Sequence, residues 1–169
     1  ANSHTGAAAV PKFARTCLVE FASLDAAART VNAILSAGIL PATLELMDET
    51  ALACVEAAMQ LGLPTDIAAA LLIETDGMEE RSVQGEIDEA AKICLACGAR
   101  RVKIAQGEAE RAALWKARRS ISPALARQAP NKLGEDITVP RSAIPEAVRG
   151  LKAISARHGL PIVIFGHAG

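Results

Sequence analysis

The residues best suited to chemistry lie in the last third of the chain. It closes on PIVIFGHAG, where Ile162, Val163, Ile164 and Phe165 run into Gly166-His167-Ala168-Gly169. A strand that delivers one imidazole into a glycine-flanked loop can present a base or a metal ligand. Upstream, in LWKARRSIS, Trp115, Arg118 and Ser122 fall at i, i+3 and i+7 and share one helical face. An arginine beside a tryptophan, with a hydroxyl a turn later, suits a carboxylate gripped by two N–H groups. Between them, NKLGEDITVPRS places Lys132, Gly134, Asp136 and Thr138 on one side of an extended strand, a polar wall with Lys132 at its rim. Each stretch also has a plain structural reading: a solvated arginine pair beside a core tryptophan, an exposed strand face, a hydrogen-bonded histidine. His4 and His158 sit where they cannot join His167, and a catalytic metal usually needs three protein ligands. Taken alone, these residues amount to a fragment of a site.

Cys94-Leu95-Ala96-Cys97 raises redox or zinc chemistry. Zinc would want a second pair, and the chain has none. A redox CxxC opens a helix, whereas this one precedes Gly98, a helix stop. Cys17, Cys54, Cys94 and Cys97 therefore read as structural thiols.

Strand and helix signals alternate along the chain with little wasted sequence. Strands are expected at 14–22, 39–48, 66–77, 99–106, 133–140 and 161–165, the third being mostly apolar and hence central. The first intervening helix starts at the N-cap Ser23, aligns Ala27, Val31, Ile34 and Leu35, and stops at Gly38. A second ends at Gly62, and a third over 78–97 buries Val83, Ile87, Ala91 and Cys94. A fourth, from Gly107, must kink or break near Pro123, and a fifth runs from Arg141 to His158. Such alternation suits a doubly wound parallel sheet, but no glycine-rich phosphate loop follows the first strand. Several strands also alternate apolar with polar residues. The pattern predicts an α+β fold: an antiparallel sheet covered by helices, built from tandem ferredoxin-like (split β-α-β) units.

At 169 residues, with 18 basic against 19 acidic side chains, the chain suits one domain with no bulk charge for nucleic acid. No apolar run reaches the roughly 20 residues of a membrane span, and no signal peptide is evident. The protein reads as cytoplasmic, with any membrane association made through partner subunits. Residues 1–8 read as a linker or expression remnant ahead of a domain over 9–169.

ATLELMD, EAERAALWKARRS, EDITVPRSAIPEAV and FGHAG, in this order, resemble the C-terminal (cap) domain of FAD-linked oxidases. The likeness is to the glycolate oxidase flavin subunit and the D-lactate and D-2-hydroxyglutarate dehydrogenases, and it covers nearly the whole chain. It implies a substrate-capping fragment, truncated at its C-terminus, of an enzyme that oxidises a small 2-hydroxy acid to the 2-oxo acid and is inactive alone. FAD would sit mainly in another domain of the same polypeptide, and other oxidase subunits are implied as partners. The family's closing pattern runs Gly-His-x-Gly-Asp-Gly-Asn-x-His, of which this chain carries only the first histidine, His167. In metal-containing members two histidines and a later glutamate hold a divalent metal over the flavin, so His167 is the implied catalytic and metal-binding residue. Arg118 maps onto the arginine of the Trp-x-x-Arg stretch, and Ser122 onto a substrate-binding hydroxyl. A substrate lysine of some members falls on Gly134 here, leaving Lys132 as the nearest candidate. The competing readings are a non-enzymatic ferredoxin-like module for ligand binding or oligomerisation, and a parallel α/β redox enzyme built on the CxxC.

Overall fold

A computed structural model describes residues 10–129 and 131–169. The expected linker at 1–8 lies outside the described residues. Five strands, β1 (Phe13–Phe21), β2 (Thr43–Asp48), β3 (Ala69–Gly77), β4 (Arg101–Ile104) and β5 (Phe165–His167), form one sheet in the order β4-β1-β3-β2-β5. Every pairing in it is antiparallel. The first four strands have the order of a split β-α-β unit, and β5 extends it beyond β2. β3 is central, as its apolar run predicts: Ala69 to Thr75 are all buried.

Helices cover both faces because the strands carry apolar side chains on both. Cys17, Val19 and Phe21 of β1, Leu44 and Leu46 of β2, and Leu71 and Ile73 of β3 face one way. They pack against α1 (Leu24–Ser36), α3 (Glu80–Ala96) and α6 (Ile144–His158), through Val31, Ile34, Ile87, Cys94 and Val148. Each fully buried side chain of this size contributes about 1.5–3 kcal/mol. Leu18, Met47, Ala70 and Leu72 point the other way, under α2 (Glu49–Met59), α4 (Glu108–Arg119) and α5 (Ile121–Gln128). Ser23 caps α1 as expected, its hydroxyl accepting from the Ala26 N–H at 3.2 Å, and Gly38 follows at φ +80°.

The sequence-based assignments differ from the structure in particular places. Residues 133–140, expected as a strand, pair with no strand among the described residues, and Leu133 and Ile137 are 91% and 61% exposed. Alternation gives the segment an extended preference, but a strand exists only where a ladder partner does. PIVIF is likewise not the last strand. Pairing with β2 begins at Phe165, so His167 closes the strand rather than lying in a loop beyond it. The long fourth helix breaks at Ser120, which places Pro123 in the first turn of α5, where its missing N–H costs nothing. The second helix ends at Gln60, which itself adopts φ +50°, before Gly62 is reached. In α3, Ala90 rather than Ala91 is buried.

Candidate functional site

Each of the three long strands carries one glutamate on the face turned toward α2, α4 and α5. Glu20, Glu45 and Glu74 are 4%, 1% and 8% exposed, and a buried carboxylate persists only where cations and N–H donors replace its water. Helix α4 supplies most of them. Arg111, Trp115 and Arg118 fall at i, i+4 and i+7, so one face of the helix meets two of the carboxylates.

At Glu74 the bonding is dense. Arg111 donates through Nε to Oε2 at 2.8 Å and through Nη2 to Oε1 at 2.9 Å. The Trp115 indole N–H and the Thr16 hydroxyl add bonds to Oε2 at 2.6 and 2.5 Å. Burial pushes the pKa of this carboxyl up, but the bonds from Arg111, Thr16 and Trp115 outweigh it and hold the pKa below its ordinary value. Trp115 is therefore a structural strut whose polar edge is satisfied. Glu20 has a simpler partner, Arg101 of edge strand β4, at 2.9 Å from Nε and 2.5 Å from Nη2.

Glu45 differs, because its two partners are the residues singled out from the sequence. His167 stands directly across the β2–β5 ladder from it, and its Nδ1 meets Glu45 Oε1. Cross-strand partners have Cβ atoms only about 4.5–5.5 Å apart, so the register itself brings imidazole to carboxylate. Arg118 reaches Oε2 through Nε at 2.8 Å and Nη2 at 2.7 Å, and its guanidinium lies over the Phe165 ring, 5.2 Å from the centroid. The three side chains are 1%, 15% and 82% exposed for Glu45, Arg118 and His167, so the cluster runs from a dry carboxylate out to a solvent-facing imidazole. Asp48, fully buried at the end of β2, steadies the approach to β5. Its Oδ2 accepts from Lys152 of α6 at 2.7 Å and from the Ile164 N–H at 2.9 Å, while Oδ1 caps α2 at Ala51.

Ser122 and Lys132 form a separate pair. Lys132 Nζ donates to Ser122 Oγ at 2.8 Å, with both residues exposed. Among the described residues no hydrogen bond or ion pair joins them to Arg118 or His167. Ser122 lies beyond the break at Ser120, exposed on α5, whereas Trp115 and Arg118 sit on α4 with their polar groups bonded to Glu74 and Glu45. The CxxC thiols are free: Cys94 is buried and Cys97 half-buried. Burial pushes Cys94 up to about 12 and Cys17, with Cys94 beside it, further still. His167 is at most one ligand of a metal site among the described residues. Among the described residues no three His, Cys, Asp or Glu converge as a ligand set, and Glu45 is already committed to Arg118.

Residues 10–169 match the family model described as "FAD linked oxidases, C-terminal domain". The chain belongs to that family. It is 43% identical over 159 residues to the glycolate oxidase subunit GlcD of Bacillus subtilis (strain 168), covering 94% of this chain and 34% of that protein. The same-named subunit of Escherichia coli (strain K12) is 36% identical over 94% of this chain and 32% of its own length. A D-lactate dehydrogenase of Anaerostipes hadrus is 25% identical, covering 94% of this chain and 35% of that protein. The chain thus spans about a third of the length of the curated relatives it matches. Among solved structures, alkyldihydroxyacetonephosphate synthase superposes with a TM-score of 0.60 at 15% identity, over 88% of this chain and 32% of that one, which shows a shared fold. The FAD-oxidase C-terminal domain seen here is an α+β antiparallel sheet flanked by helices, and no described helix is long and apolar enough to cross a membrane.

What sequence reasoning missed is the carboxylates. Glu20, Glu45 and Glu74 each interrupt an otherwise apolar strand (CLVEF, LELM and LLIET), and that interruption is the signal that could have found them.

Proposed function

We propose that this chain is the substrate-capping part of an FAD-dependent 2-hydroxy-acid oxidoreductase of the glycolate oxidase type, and that it is inactive by itself. The observation that carries the reading is the match of residues 10–169 to the oxidase family, joined to the likeness to glycolate oxidase subunits. In this reading most of the FAD contact comes from another domain of the same polypeptide, other oxidase subunits assemble with it, and the enzyme works in the cytoplasm. The substrate is a small 2-hydroxy acid, with glycolate and D-lactate first in line because those names attach to the relatives.

The chain's residues divide the work by chemistry. Arg118 attracts the substrate carboxylate; Nε and Nη2 already hold Glu45, so the outer guanidinium edge is the part offered. His167 has Nδ1 committed to Glu45, which leaves Nε2 to take the hydroxyl proton as the Cα–H bond breaks. Bound flavin supplies the acceptor for the hydride. Ser122 and Lys132, joined to each other on the exposed side of α5, are a substrate-binding pair at the rim.

Arg118→Ala in the full-length flavoprotein tests the assignment. The expected result is a rise in KM and a fall in kcat/KM of about tenfold to a few hundredfold, matching the roughly 1.5–3 kcal/mol of a charged hydrogen bond. Wild-type KM and kcat/KM would show that Arg118 does not hold substrate.

A further inference from the structure

We infer that Glu45 is the positioning residue of this site: one buried carboxylate that fixes the orientation and tautomer of His167 while clamping Arg118 beside it. The inference rests on the reading of His167 as the base, and adds a residue that reading does not require.

The geometry has three parts. First, Glu45 is 1% exposed yet engages both candidate site residues, one on each oxygen. A carboxylate accepts and cannot donate, so the neutral ring of His167 carries its proton on Nδ1 and presents its lone pair at Nε2. Second, the contact is imposed by sheet register, since Glu45 and His167 are direct ladder partners on the face that also holds Met47 and Phe165. The strand pairing holds the ring, so a side chain that is 82% exposed still has a defined direction. Third, Arg118 is pinned between Glu45 and the Phe165 ring, so the same carboxylate sets the distance between a cation for substrate and a base for its proton. Glu20 and Glu74 make no comparable link: their partners are Arg101, and Arg111, Thr16 and Trp115. Asp48 acts one step further out, bonding the Ile164 N–H just ahead of β5.

A double-mutant cycle in the full-length holoprotein tests this, with turnover expressed per bound flavin so that lost folding or lost FAD does not count as lost catalysis. Glu45→Gln is expected to lower kcat by about 10–100-fold while substrate KM changes by less than about threefold. In a His167→Ala background the same substitution should cost less than about threefold, because the ring it orients is gone and the amide oxygen still accepts from Arg118. Should Glu45→Gln fail to retain flavin, Glu45→Asp keeps the charge near Arg118 but withdraws the acceptor from Nδ1. It is expected to show the same loss and the same dependence on His167. An equal loss with and without His167, or wild-type turnover per flavin in Glu45→Gln, overturns the inference and leaves the proposed function standing. Wild-type turnover in His167→Ala overturns the inference together with the reading of His167 as the base, since the ring is then dispensable.

Discussion

Removing the Glu74 carboxylate exposes how α4 is held on the sheet. Glu74→Ala leaves the Arg111 guanidinium, the Trp115 indole N–H and the Thr16 hydroxyl without their acceptor, in a region where the two charged side chains are 11% and 28% exposed. Breaking a buried pair by deleting one partner costs about 3–5 kcal/mol. Arg111 keeps Glu108 at 3.0 Å, but that carboxylate is 77% exposed and returns little, while partial access of Arg111 to water trims the penalty. The expected loss is therefore about 3 kcal/mol, or roughly 6–12 °C in Tm for a chain of this size. Urea and thermal denaturation of the purified chain measure it. Adding Arg111→Ala to Glu74→Ala should cost less than about 1 kcal/mol more, because the orphaned cation goes with it. A carboxyl held below its ordinary value makes the unfolded chain the better proton acceptor in acid. Stability from Glu74 is thus complete above about pH 4.3 and is lost as pH falls through the lowered folded value. Glu74→Gln should flatten that acid limb. A Glu74→Ala protein within about 1 kcal/mol of the parent, with an unchanged acid limb, would refute the strut role.

Two further outcomes follow from burial. Iodoacetamide on the native chain near pH 8 should modify Cys97 at most, because Cys94 is pushed up to about 12 and Cys17 higher; mass spectrometry showing rapid labelling of Cys94 would restore the redox reading. Leu133→Ser and Ile137→Ser should each change stability by no more than about 0.5 kcal/mol, since both side chains are exposed; a loss above 2 kcal/mol in urea denaturation would show that 133–140 packs as a core strand.

The parts of the fold legible in the sequence are those fixed by local pattern. Ser23 and Gly38 bracket α1, the unbroken Ala69–Ile73 run marks a strand buried on both faces, and Pro123 forces the division of α4 from α5. Strand ends depend instead on which backbone groups find partners. PIVIF has the composition of a strand, yet the Asp48 side chain takes the Ile164 N–H and regular pairing starts only at Phe165. Residues 133–140 alternate correctly and pair with nothing among the described residues. At the site, Arg118 and His167 stood out by type and spacing, whereas Glu45 did not. Its contact with His167 spans 122 positions of sequence and is set by ladder register that no local window contains. Ser122 stands out by the same helical spacing, but its bonded partner is Lys132, ten residues on, which that spacing does not indicate.

In the proposed function this domain serves flavin-dependent oxidation of a small 2-hydroxy acid. Anaerobic addition of glycolate or D-lactate to the purified full-length holoprotein tests it most directly. The oxidised flavin absorbance is expected to bleach with at least one of them, and more slowly in Arg118→Ala. A flavin that stays oxidised with every small 2-hydroxy acid tried, or a full-length protein that binds no flavin, would contradict it.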